Sequence, residues 1–122
     1  MKSTFLIDPN PPKILKGHEI ALQEWKRVLK LPGHRITAFD SCCLANYCLV
    51  IEEEKILRSI SACVEKTIKE MQTSKQHSKL QIRKTRDLLI TQRNRIVGKR
   101  KLARQLAESL YLDPPVFLRS TR

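Results

Sequence analysis

Hydrophobic and polar residues follow helical spacing in three stretches of this chain. The first stretch covers residues 17–31 and ends at Pro32 and Gly33, a pair that stops a helix. Its apolar positions follow helical spacing, with charged and amide side chains on the other side: Ile20, Leu22, Trp25, Val28 and Leu29. This pattern predicts a short amphipathic helix.

A second, longer helix is predicted to begin at Thr37. Thr37 and Asp40 form a Thr-x-x-Asp sequence, in which the hydroxyl can cap a free amide and the carboxylate lies in the first turn. Since no glycine or proline interrupts residues 38–72, this helix would be about 50 Å long. A compact domain of this size is only about 30 Å across. We therefore expect other subunits to cover part of the helix.

A third helix is predicted beyond the polar turn at residues 73–78. Apolar residues there recur every seven positions, the heptad pattern of packed helices: Ile82, Leu89, Ile96, Ala103 and Leu110. Ser78 or His77 is the expected cap, and Pro114 with Pro115 ends the helix. The predicted fold is all-α, with a short amino-terminal helix followed by a long antiparallel helical hairpin.

The chain is predicted to have three parts. Residues 1–16 contain Pro9, Pro11 and Pro12 and are expected to form an extended arm. Residues 17–112 form the helical domain, and residues 113–122 form a short basic tail.

The composition argues against several functions. Only three of the 122 residues are glycine, which leaves no room for a glycine-rich loop that cradles nucleotide phosphates. No nucleophile or acid–base motif is recognisable, and the run Glu52 to Glu54 is interpreted as a solvated helix face, so we expect no enzymatic activity.

Residues 41–51 are too short to span a membrane, and residues 1–7 lack the apolar core of a secretion signal. We expect no membrane association and a location inside the cell.

The four cysteines predict neither a disulfide framework nor a metal site. All four lie in the second predicted helix, at spacings that do not let their side chains pair. A zinc set of Cys42, Cys43, Cys48 and His34 lacks the two short chelating pairs that structural zinc prefers. We expect reduced cysteines, no metal and no cofactor.

Positive charge is concentrated near the carboxyl end. The chain has 24 Lys and Arg against 12 Asp and Glu, and residues 73–122 hold thirteen of the former and three of the latter. Such an imbalance favours a polyanionic partner over a merely solvated face. Because Tyr111 and Phe117 are the only aromatic residues there, bases of a single strand would find few side chains to stack on, and duplex DNA fits better. A membrane surface or an acidic protein is the alternative partner. The predicted DNA-binding residues are Arg83, Lys84, Arg86, Arg93, Arg95, Lys99, Arg100, Lys101 and Arg104. Among amide side chains, Gln92 and Asn94 have the best claim on base edges.

Part of the second helix is apolar on nearly every face, which predicts contact with neighbouring subunits. This part covers residues 42–51, and an apolar stripe continues beyond it. The predicted interface residues are Cys43, Leu44, Tyr47, Leu49, Val50, Leu57, Ile60 and Val64.

The order of several motifs resembles a known family. Pro11-Pro12 is followed by Trp25, then by Gly33-His34-Arg35-Ile36-Thr37-Ala38-Phe39-Asp40, and then by Leu44-Ala45-Asn46-Tyr47-Cys48. In this order the chain resembles the small terminase subunit of tailed double-stranded DNA bacteriophages. Leu112-Asp113-Pro114, with Arg119 and Arg122 in the tail, also resembles that family's carboxyl end.

The resemblance implies a viral DNA-packaging protein without an active site of its own. It implies a homo-oligomeric ring that binds duplex DNA in the cytoplasm of the bacterial host and recruits or regulates the large terminase subunit, which carries the ATPase and nuclease. The tail at residues 114–122 or the arm at residues 1–16 would contact that subunit. The alternative is a small basic helical regulator or nucleoid-type protein that binds DNA as a dimer.

Overall fold

The computed structural model describes residues 7–32, 34, 36–74 and 77–112. Helices account for 79% of these residues, so the predicted all-α fold is confirmed. The three α-helices are α1 (Glu19–Leu29), α2 (Ser41–Thr73) and α3 (Lys79–Ser109). Short 3₁₀ turns at Lys13–Leu15 and Ala38–Asp40 precede α1 and α2. The basic tail expected at residues 113–122 and the start of the arm, residues 1–6, lie outside the described residues.

The chain divides into two compact units. Unit 1 consists of Met1–Glu53 and Lys99–Arg122, and unit 2 consists of Glu54–Gly98. Unit 1 therefore contains α1, the first part of α2 and the last part of α3. Unit 2 contains the rest of α2 and α3.

Side-chain caps explain where the two long helices begin. Ahead of α2, an Asp40 carboxylate oxygen accepts hydrogen bonds from the Thr37 amide at 3.0 Å and from the Thr37 hydroxyl at 3.1 Å. At the start of α3, the Ser78 hydroxyl accepts from the Gln81 amide, and the Gln81 side-chain oxygen accepts from the Ser78 amide. The bonds between Ser78 and Gln81 are reciprocal, and both sets satisfy amides that a helix start leaves unpaired.

The core of unit 1 forms around α1. Trp25 and Val28 of α1 are fully buried with Leu44 and Tyr47 of α2, and the small side chains of Ala103 and Ala107 complete the same core from α3. Burial of this apolar surface is the main source of stability for such a unit.

The segment expected to be an extended arm packs against the core in its described part. Ile7 and Leu15 are buried in the cluster that contains Trp25. The Trp25 indole Nε1 donates a 3.0 Å hydrogen bond to the Pro9 carbonyl oxygen. Prolines prevent an α-helix here, but they do not prevent this segment from covering α1.

The carboxyl end of α3 is closed by a residue in a strained conformation. The Leu112 amide donates to the Ala107 carbonyl at 2.9 Å, and the Tyr111 amide donates to the Glu108 carbonyl at 3.1 Å. This is the Schellman motif, which requires a left-handed residue, usually glycine, just past the helix. Here Tyr111 takes that conformation, with φ of 57°, while its side chain is 85% exposed.

We expect the Tyr111→Gly variant to be more stable than the wild type by about 1 kcal/mol. Glycine adopts the left-handed conformation without the clash of a Cβ atom, and the exposed ring contributes little packing. Chemical denaturation followed by circular dichroism would measure the difference. The Tyr111→Ala variant is the control, because it removes the ring but keeps the strain. Equal stability of the glycine and alanine variants would contradict this explanation.

Unit 2 is held together by a narrow apolar contact between α2 and α3. Ile68 and Met71 of α2 and Leu89 and Ile96 of α3 are buried there. The heptad pattern is therefore reflected in the packing, since Leu89, Ile96, Ala103 and Leu110 are buried and Ile82 is half-buried. Two buried polar atoms of unit 2, Ser61 Oγ and Gln92 Oε1, have no hydrogen-bond partner among the described residues.

Candidate nucleic-acid interface

The nine cationic residues predicted to bind DNA differ in their surroundings. The exposed Arg93 guanidinium pairs with the Glu65 carboxylate of α2 in unit 2. In unit 1, Lys99 Nζ pairs with the Glu53 carboxylate. Arg100 and Arg104 are half-buried and also have interaction partners. Four of the nine cations thus interact with other residues of the chain.

The other five residues are exposed and pair with no carboxylate among the described residues. We call them the free cations: Arg83, Lys84, Arg86, Arg95 and Lys101. The first four belong to unit 2 and span thirteen residues of α3, about 18 Å at the helical rise. That length matches roughly five base pairs of duplex, each of which carries two phosphates. The free cations are therefore the part of α3 best suited to bind a polyanion.

The two amide side chains considered for base contacts are placed differently. Gln92 is half-buried, and its side-chain oxygen is fully buried in unit 2, away from any ligand on the surface. Asn94 is exposed. Of these two candidates, only Asn94 is open to a base edge.

The predicted interface residues fall into two groups. Leu44, Tyr47 and Val50 are buried within unit 1, which differs from the expectation that they face a neighbouring subunit. The chain covers them because the segment before α1, α1 itself and the end of α3 all contribute to the same core. The five that retain exposed surface are Cys43, Leu49, Leu57, Ile60 and Val64, among which Ile60 is 41% exposed.

Buried carboxylates are the feature that the sequence interpretation missed. The run Glu52 to Glu54 is not a solvated face, because Glu52 is buried in unit 1 and Glu54 is fully buried. Glu52 accepts a 3.3 Å hydrogen bond from the Ala21 amide in the first turn of α1, and its other oxygen lies 2.6 Å from His18 Nδ1. A carboxylate at this position stabilises a helix amino terminus. Only Glu53 of the three is exposed.

The carboxylate of Glu24 is also buried, and it joins α1 to α2 inside unit 1. Arg27 donates two 2.7 Å hydrogen bonds to Glu24, and the Tyr47 hydroxyl donates a third of 2.7 Å. Burial, together with the charge of Glu24, raises the pKa of Tyr47 above its ordinary value. Burial likewise raises the pKa of the neighbouring Cys48 thiol to about 12. Cys48 is fully buried in the core of unit 1, where it packs as a small apolar side chain.

Metal-binding clusters, disulfides and membrane-spanning helices are absent from the described residues. The part of the chain that the structure describes contains no group of three or more His, Cys, Asp or Glu side chains placed to hold a metal ion. All four cysteines are free. None of the described helices combines the length and apolar character needed to cross a membrane.

No protein-family model, curated protein or solved structure matches the chain. The arrangement of charge on α3 is therefore the main basis for a functional proposal, together with the motif order noted above.

Proposed function

We propose that the chain binds duplex DNA through the free cations of α3 and acts as a viral DNA-packaging protein of the terminase small-subunit type. The observation that carries the DNA-binding proposal is the presence of five exposed cations on one helix with no carboxylate partner among the described residues. Unpaired cations at this density attract a polyanion and release its counterions on binding.

The residue types on α3 support duplex over the other polyanionic partners. Residues 79–109 contain no aromatic side chain, so bases of a single strand have nothing to stack on. A helix that lies on a membrane surface also usually carries Trp or Phe on its apolar side. Contacts with the phosphates of a duplex need neither stacking side chains nor a Trp or Phe on the apolar face.

The proposed architecture is an antiparallel hairpin of α2 and α3 that assembles into a ring. Contacts between the two helices in unit 2, such as the Glu65–Arg93 pair, and the small number of residues between Thr73 and Lys79 favour a hairpin. The ring, the large terminase subunit as partner and the host cytoplasm as location follow from the motif resemblance alone. The tail proposed to contact the large subunit lies outside the described residues.

A direct binding assay tests the DNA-binding part of this proposal. Fluorescence anisotropy with labelled duplexes of equal length and unrelated sequence should give similar dissociation constants, in the range of about 10⁻⁴ to 10⁻⁶ M at physiological salt. Vesicles of anionic phospholipid are the comparison. Binding to vesicles without binding to duplex would contradict the proposal.

We expect the Ile60→Asp variant to dissociate the assembly. Ile60 is partly exposed in the single chain, so the chain can fold with aspartate there, whereas a subunit contact would bury an unpaired carboxylate. Native mass measurement should show a closed oligomer for the wild type and smaller species for the variant. Ser59→Asp, at the neighbouring exposed position, is the control and should leave the oligomer intact.

A monomeric wild type at micromolar concentration would contradict the proposed assembly. A dimer would favour the regulator or nucleoid-type alternative over a packaging ring.

A further inference from the structure

Two adjoining depressions lie on one side of unit 2. The larger, of about 760 Å³, is lined mainly by the start of α3, and the smaller, of about 520 Å³, is lined by both α2 and α3. They share Gln72, Arg86 and Ile90 as lining residues. We call the combined feature the aliphatic groove.

The lining of this groove is rich in aliphatic side chains. Ile68, Ile82 and Leu89 are buried or half-buried. Leu80 and Ile90 also line the groove, yet they are 58% and 55% exposed. Clustered exposed aliphatic residues of this kind are typical of a surface that binds a partner.

Positive charge dominates the polar part of the groove. Its two carboxylates, Asp87 and Glu65, face five cations, and one of those cations is already paired with Glu65. The cations are Lys69, Lys79, Arg83, Arg86 and Arg93. A ligand that fills the groove should therefore carry both apolar and acidic groups.

An amphipathic helix meets both requirements better than a nucleic acid does. A duplex could contact the cations, but it has no aliphatic surface for Leu80, Ile82 and Ile90, and Asp87 would repel its phosphates. A helix lays its apolar face into a groove through residues at positions i, i+3, i+4 and i+7. The α3 residues that line the groove, from Lys79 to Arg93, extend over about 21 Å, which is the length of about 14 helical residues.

We propose that the aliphatic groove of unit 2 binds an acidic amphipathic α-helix of a partner protein. The aliphatic residues contact the apolar face of that helix, and the surrounding cations pair with carboxylates on its flanks. This interaction goes beyond the proposed DNA binding and does not rest on it. The groove shares Arg83 and Arg86 with the free cations, but its aliphatic residues have no role in DNA binding.

A designed peptide tests this proposal on the full chain. The probe is a labelled helical peptide of about 14 residues, with leucine at the i, i+3, i+4 and i+7 positions and glutamate on both flanks. We expect saturable binding by fluorescence anisotropy, with an affinity at least tenfold lower for the Ile90→Ser variant. Val97→Ser is the matched control, because Val97 is also an exposed aliphatic residue of α3 at 56% but does not line the groove. It should bind as the wild type does.

Two further changes separate the roles of shape and charge. A peptide with glutamine in place of glutamate, and one with serine in place of leucine, should each bind at least tenfold more weakly. Asp87→Asn should strengthen binding of the acidic peptide, which keeps the proposal testable if Ile90→Ser proves unstable by circular dichroism.

The outcomes distinguish this proposal from DNA binding. Absence of peptide binding to the wild type, or equal losses in the Ile90 and Val97 variants, would overturn the groove proposal and leave DNA binding unaffected. An Ile90→Ser variant that loses duplex affinity but keeps peptide affinity would also overturn it, because the groove would then serve nucleic acid.

Discussion

The Trp25→Ala variant is expected to lose about 3 to 5 kcal/mol of unfolding free energy, the usual cost of truncating a fully buried aromatic residue. Trp25 has no exposed surface and is the largest fully buried side chain of the described residues. Removal of the indole leaves a cavity in the core of unit 1, beside α1. It also leaves the Pro9 carbonyl without its hydrogen bond. Since native domains are stable by only about 5 to 15 kcal/mol, this loss is a large fraction of the total stability.

The Trp25→Phe variant separates packing from hydrogen bonding. Phenylalanine keeps most of the buried area but cannot donate to Pro9, so a smaller loss of about 1 to 3 kcal/mol is expected. Chemical denaturation of both variants gives the two values. A Trp25→Ala variant within about 1 kcal/mol of the wild type would show that the core of unit 1 is not organised around this residue.

Replacing the five free cations with glutamine is expected to lower affinity for duplex DNA by roughly 10⁴-fold at 0.1 M salt, since each lost phosphate contact removes the release of nearly one counterion. The residues concerned are Arg83, Lys84, Arg86, Arg95 and Lys101. All five are exposed and pair with no carboxylate among the described residues, so their removal should not destabilise the fold.

A double variant provides the matched control for that experiment. Arg93→Gln combined with Lys99→Gln removes two cations that pair with Glu65 and Glu53 in the chain itself. Because exposed ion pairs contribute little to stability, this variant should remain folded. Its affinity for duplex should stay within tenfold of the wild type. If each substitution of the double variant lowered duplex affinity more than each substitution of the quintuple variant, the result would contradict the assignment of DNA binding to the free cations.

The helices could be predicted from the sequence because their ends carry local signals. Pro32 and Gly33 follow α1, and the Thr37–Asp40 and Ser78–Gln81 pairs precede α2 and α3. Such signals act within a few residues and do not depend on the rest of the fold. The apolar heptad line on α3 is likewise visible in the sequence because burial follows its spacing.

The candidate site could be predicted only in part, because ion pairing depends on residues far apart in the chain. The excess of cations on α3 is evident from composition, but the pairing of Arg93 with Glu65 joins residues 28 positions apart. The burial of Glu52 could not be predicted for the same reason, since its hydrogen-bond partner Ala21 lies in another helix. A run of three glutamates indicates exposure by composition alone, and only the fold shows which of them are buried.

The salt dependence of duplex binding tests the central claim most directly. A plot of log affinity against log salt has a slope of about −0.9 for each phosphate contact, so five contacts predict about −4.5 for the wild type. We predict a similar slope for the Arg93 and Lys99 double variant and a slope near zero for the quintuple variant. A quintuple variant that keeps the wild-type slope would contradict the claim that the free cations of α3 bind DNA.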